Sequence, residues 1–192
     1  MKARFIEDET FEQTDFTTIP LPAGEYERCT FRNCDFSNGD LANILFSDCA
    51  FIRCNLSLTK LVNTALRDTR FQDCKLMGLH FEDCNKFGLA LHFDSCNLSH
   101  SSFYQTKLKE TTFKNTRLHD VDFTECDLTN AVFDNCDLTR AKFDHTILEK
   151  ADFRTAVNYS IDPENNRLKK ARFSLPGVVG LLEKYNIQID GI

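Results

Sequence analysis

VDFTECDLTNAVFDNCDLTRAKFDHTILEKADF, residues 121–153, places a large apolar residue at every fifth position: Phe123, Leu128, Phe133, Leu138, Phe143, Leu148 and Phe153. Toward the N-terminus the register continues through Leu118, Phe113, Leu108, Phe103 and Leu98 to Phe93. There the phase slips by two residues. It then resumes for fifteen slots, each Phe, Leu or Tyr, from Phe81 back to Phe11. Toward the C-terminus, Leu168 and Phe173 fall in the same slot, and only Phe5 and Phe87 of the 18 phenylalanines stand outside it. A second column sits two residues before each centre and is mostly small, as in Cys34, Cys54, Cys74, Thr106, Thr116, Ala131 and Cys136. The remaining three positions of each five are polar or charged.

A period of five matches neither a helix at 3.6 residues per turn nor a strand at 2. A helix would spread these side chains around its circumference, and a strand would put half of the phenylalanines in water. The pattern becomes buriable if the chain turns a corner after every five residues. Four such faces close a coil of 20 residues with two of every five side chains inward. Successive coils then pair as parallel strands about 4.8 Å apart and bury their core only against one another.

TECDL, DNCDL and LTRAKF closely match the motif A(D/N)LXX, and the sequence resembles the pentapeptide-repeat family over nearly its whole length. That resemblance implies an all-β fold, a right-handed quadrilateral parallel β-helix, here with a short C-terminal α-helix. The expected organisation is one domain, 1–192: an N-terminal stack over 1–84, an insertion and register slip over 85–92, a second stack over 93–173, and a capping and dimerisation segment over 174–192. Within the family, the run AVNYSIDPENNRLKKARFSLPGVVGLLEKYNIQID and the CNLSL and SSFY stretches resemble the gyrase-protecting subgroup. That subgroup comprises AlbG, the most similar, and the Qnr and MfpA proteins. It implies a DNA-mimicking dimer that binds DNA gyrase or topoisomerase IV and relieves quinolone- or albicidin-type poisons. Qnr proteins carry two longer loops, whereas this chain has only the insertion after Cys84. A structural scaffold for an unrelated protein partner is the alternative.

The breaks in the repeat are where function is expected, because the repeats themselves are scaffold. At Asn85–Ala90 the centre is Lys86 and two extra residues enter, which makes either a simple bulge or a small loop presenting Lys86 and Phe87 to a partner. After Phe173 the period changes. Ser174 and Pro176 open a helix-like spacing of Val178, Val179, Leu181, Leu182 and Tyr185 that Asn186 ends, and Ile187 and Ile189 alternate as a terminal strand. Together with Leu175 these are the expected dimer contacts, since an open β-helix end needs a cover.

The formal charge of −6 argues against a protein whose main task is holding nucleic acid. The span from His119 to Thr139 holds Asp120, Asp122, Glu125, Asp127, Asp134 and Asp137 without a Lys or Arg. It reads as an acidic collar facing a partner, or as corner chemistry in which Asp122, Asp127 and Asp137 bond local backbone. All nine Cys keep the phase of the small column and none forms a CxxC pair, which favours core filler over metal or redox chemistry. The five His are scattered, and no nucleophile elbow or phosphate loop occurs. No catalytic residue, cofactor, metal or small-molecule substrate is therefore expected. The N-terminal stretch lacks an apolar signal region and no run is long enough to span a membrane, so a cytoplasmic location is the expectation.

Overall fold

A computed structural model describes residues 4–189, so the first three and last three positions of the expected domain lie outside the described residues. The chain winds as a right-handed, four-sided parallel β-helix. Face 1 carries a sheet of four strands, Arg4–Glu7, Gly24–Glu27, Leu45–Ser47 and Ala65–Arg67. Face 2 carries seven, from Thr10–Glu12 to Val132–Asp134. Faces 3 and 4 stack through single parallel bridges, such as Asn97 to Arg117 and Asp122 to Lys142.

The alternation of Phe and Leu along the chain becomes a division between faces. Face 2 stacks Phe11, Phe31, Phe51, Phe71, Phe93, Phe113, Phe133, Phe153 and Phe173, with neighbouring ring centroids 4.6–5.5 Å apart. Face 4 opposes it in the C-terminal half with Phe81, Phe103, Phe123 and Phe143, which meet the face 2 rings edge-on. Leucines fill the two faces between. Each coil from Phe93 to Leu148 thus holds two rings and two aliphatic side chains, whereas the coils of Phe11–Tyr26 and Phe31–Phe46 hold three rings and one leucine.

The small column does more than fill space. Cys54, Cys74 and Cys136 Sγ donate to the carbonyls of Phe31, Phe51 and Phe113, each at 3.3 Å. Thr59 and Thr64 Oγ1 make the same bond, 23 residues back, at 2.8 Å. All nine cysteines are free and buried, and burial pushes the Cys49, Cys84 and Cys136 thiols up to about 12. Cys49 and Cys136 accordingly stay protonated and donate to the Tyr26 and Phe113 carbonyls at 3.3 Å.

At most corners, the residue two after the centre is left-handed, from Asp8 at φ +58 to Lys170 at φ +62. Many corners close as turns, as in the Ala131 N–H to Leu128 carbonyl bond at 3.0 Å around Asn130 at φ +59. That geometry favours Asn, Asp and Gly, which explains their recurrence at this position.

The two extra residues enter on face 1 alone. Across the slip, Phe71 pairs with Phe93, Lys75 with Asn97 and His80 with Ser102, each 22 residues apart rather than 20. Face 1 absorbs the difference as a bulge, held where the Asn85 and Ala90 N–H groups donate to the Thr64 and Leu66 carbonyls.

The C-terminal segment differs from the expected α-helix. It forms two 3-10 turns, Pro176–Leu181 and Glu183–Tyr185. Its glycines explain the tighter path: a Cβ on Gly180 would lie 2.1 Å from the Tyr159 carbonyl oxygen, and one on Gly177 would lie 2.1 Å from the Tyr159 hydroxyl. Ser174 Oγ does accept the Gly177 N–H at 3.2 Å, and Asn186 ends the turns at φ +47. Ile187 and Ile189, expected as a terminal strand, lie in no strand and instead line a groove beside Val157 and Asn158.

Candidate interaction surface

Stacking at a 20-residue interval decides which outer side chains meet, and it changes the meaning of the acidic collar. Asp120 receives Arg140 at 2.6 and 2.7 Å, Asp127 meets Lys109 at 3.2 Å, Asp122 meets Lys142 at 3.8 Å, and Asp137 meets His119 at 2.7 Å. The 119–139 window lacks Lys and Arg, but the coils on either side supply them. Only Glu125 and Asp134 meet no Lys, Arg or His: Glu125 accepts from Gln105 at 2.8 Å and Asp134 from Thr155 at 3.0 Å. The six carboxylates therefore ring one coil as largely paired charges.

The corner chemistry is present at the three positions expected. Asp122, Asp127 and Asp137 accept the Thr124, Thr129 and Thr139 N–H groups at 2.8, 3.2 and 3.1 Å. Burial alone would raise the Asp137 pKa, but hydrogen bonds from Thr139, Asn158 and His119 outweigh it and hold the carboxyl well below the usual range. For Asp120, the Arg140 guanidinium is the main cause of a lowered value.

Sorting charge by face shows what a linear window hides. Face 4 carries Glu82, Asp83, Asp122, Glu125, Asp144, Asp162 and Glu164 along the axis, with Lys142 its one Lys or Arg over those coils. Face 1 of the same half is basic. Faces 2 and 3 balance there. Period-five counting missed this, whereas a count at period 20 exposes it.

The insertion presents Lys86 and Phe87 outward. Phe87 is 76% exposed, its N–H donates to Asn85 Oδ1 at 3.0 Å, and the Arg67 guanidinium lies 5.3 Å from its ring centroid. The C-terminal tail leaves Leu175, Val178, Val179, Tyr185, Ile187 and Ile189 exposed, while Leu181 packs on the core and Leu182 is half-buried. Lys184 ties the tail to Asp162 and Glu164 at 2.6 and 2.7 Å. Between the tail and face 3 runs an open groove of about 1050 Å³, lined by Arg140, Val157, Val179, Leu182, Ile187 and Ile189 among others.

Among the described residues, no cluster of three or more His, Cys, Asp or Glu could hold a metal, and no helix is long and apolar enough to cross a membrane. The family model for the pentapeptide repeat region matches residues 25–91 and 86–153. The chain belongs to the pentapeptide-repeat family. Solved structures agree on the fold. Two trypsin-treated forms of QnrB1, a plasmid-mediated fluoroquinolone resistance protein, are similar to it. The first has a TM-score of 0.63 at 16% identity, with 97% of this chain and 98% of that one covered. The second has a TM-score of 0.57 at 17% identity, with 98% and 100% covered. No curated protein matches the sequence.

Proposed function

We propose that this pentapeptide-repeat protein is a non-enzymatic partner of a type II topoisomerase, DNA gyrase or topoisomerase IV, that protects it from drugs trapping its cleavage complex. The observation that carries this reading is acidic face 4. Its carboxylates stand on four of the five coils from Glu82 to Glu164, at coil-steps of about 4.8 Å, a negative stripe suited to a groove that otherwise holds DNA. The fold shared with a fluoroquinolone resistance protein and the sequence resemblance to AlbG support it. Asp122 and Glu125 are the collar residues that join the stripe. Asp120, Asp127 and Asp137 lie on other faces and serve mainly as paired corner charges, and Asp134, on face 2, accepts from Thr155. Lys86 and Phe87 offer a second contact at the bulge.

The exposed apolar tail supports a homodimer through Leu175, Val178, Val179, Leu181, Leu182, Tyr185, Ile187 and Ile189, with Leu181 and Leu182 anchoring the tail from within. Such a dimer would double the length of the negative stripe.

The test is a gyrase supercoiling assay with and without a fluoroquinolone or albicidin. Protection or inhibition at micromolar protein is expected, and it should be lost on Asp122→Lys, Glu125→Lys and Asp144→Lys. No effect on the enzyme under either condition rejects the reading and leaves a scaffold for another protein.

A further inference from the structure

We propose that face 1 of the C-terminal half is a second, separate docking surface, for the phosphate backbone of duplex nucleic acid. The net charge of −6 conceals it. Over the coils spanning 106–170, this face carries six cations, Lys107, Lys109, Lys150, Arg167, Lys169 and Lys170, against three acids, Glu110, Asp127 and Glu149. Two of the acids are already engaged, Asp127 by Lys109 at 3.2 Å and Glu149 by Arg167 at 2.6 Å. Lys107, Lys150, Lys169 and Lys170 are exposed and in no ion pair.

Residues 20 apart lie one coil-step apart, and at that interval four cations elsewhere sit on an acid: Arg28 on Asp8, Lys114 on Asp94, Arg140 on Asp120, Lys142 on Asp122. Lys150 and Lys170 instead stack like on like, with the Lys150 N–H bonded to the Lys169 carbonyl at 2.9 Å. Like charges opposed across a ladder destabilise it. Both lysines also occupy left-handed corners, at φ +59 and +62, where Asn or Asp is the favourable choice. Stacked aspartates elsewhere, such as Asp15 and Asp35, accept Thr17 and Ser37 N–H groups, a local use that lysine does not have. Neither folding nor local pairing accounts for the lysine pair; attraction to an external polyanion does.

The dimensions fit a duplex. Lys107 and Arg167 stand three coil-steps apart, about 14 Å. One strand of a duplex presents a phosphate about every 3.4 Å of axis, so about four face this length. Lysine is suited to such contacts as a mobile point charge.

The proposal does not depend on topoisomerase binding and is tested on the full chain alone. Fluorescence anisotropy with a labelled 20-base-pair duplex, from about 25 to 200 mM salt, should show binding with a log–log slope of about −3.6, about a tenfold loss per doubling of salt. Replacing the four unpaired residues together (Lys107→Gln, Lys150→Gln, Lys169→Gln, Lys170→Gln) should flatten the slope and cut affinity at least tenfold. Lys60→Gln with Lys75→Gln, on faces 4 and 3, should change neither. Absence of binding by the unaltered protein at low salt overturns the proposal, as does an equal loss in the control. So does polyglutamate competing as well as duplex, which would mark a carboxylate-bearing partner instead. The unaltered protein's slope stands as a test even if the fourfold variant fails to fold.

Discussion

Faces 1 and 4 of the C-terminal half meet at a shared corner and stack by the same parallel register, yet one is basic and the other acidic. Beneath them lie Leu108, Leu128 and Leu148 under face 1 and Phe103, Phe123 and Phe143 under face 4, all buried. The difference teaches that this fold separates two tasks. Inward columns specify the coil, and outward columns are free to carry charge as long as each corner accepts its left-handed residue. A surface property on such a solenoid belongs to a face, running along the axis, and not to a segment of sequence.

The largest expected effect tests the shared interior. Phe123→Ala under face 4 and Leu128→Ala under face 1 should each cost about 2–5 kcal/mol in denaturant unfolding, because both leave a cavity in a closed stack. If only one is costly, the faces do not rest on a common core. Next comes the tail, which Lys184 ties to face 4. Gly180→Ala drives a Cβ into the Tyr159 backbone and should displace the 3-10 turns, lowering any dimer fraction measured by sedimentation while the stack still melts cooperatively.

A smaller effect should appear with acid. The Arg154, Arg140 and Lys184 side chains are the main causes of lowered pKa values at Asp152, Asp120 and Asp162 respectively. Groups with depressed folded values stabilise above their unfolded pKa of about 4 and lose that contribution as pH falls through the folded value. Melting temperature should therefore be flat from about pH 7 to 5 and decline below about pH 4. A rise on acidification would contradict the pairing scheme. The smallest effect sharpens the charge contrast itself: Lys170→Asp places an acid on Lys150 and should stabilise by a few tenths of a kcal/mol while weakening duplex binding.

Particular residues show how far the sequence could be read. The slot occupied by Phe93, Leu98 and Phe103 announced the coil, since a period of five has one economical burial. The Asx role of Asp122, Asp127 and Asp137 was legible because it is local. The shape of the 174–189 tail was not. Val178 to Tyr185 has helical spacing, but the packing of Gly177 and Gly180 on Tyr159 selects a tighter turn. The hydrogen-bonding use of Cys54 and Thr59 was equally hidden, because their acceptors lie 23 residues away.

The sequence by itself determined the four-sided coil, its inward columns and the place of the slip, because burial of an every-fifth apolar residue depends only on neighbours along the chain and a repeat distance. Only the tertiary structure decided which charges meet. Pairing Asp120 with Arg140, or Lys150 with Lys170, depends on stacking one coil on the next. That stacking turned an acidic window into a paired ring and an acidic chain into one with a basic face.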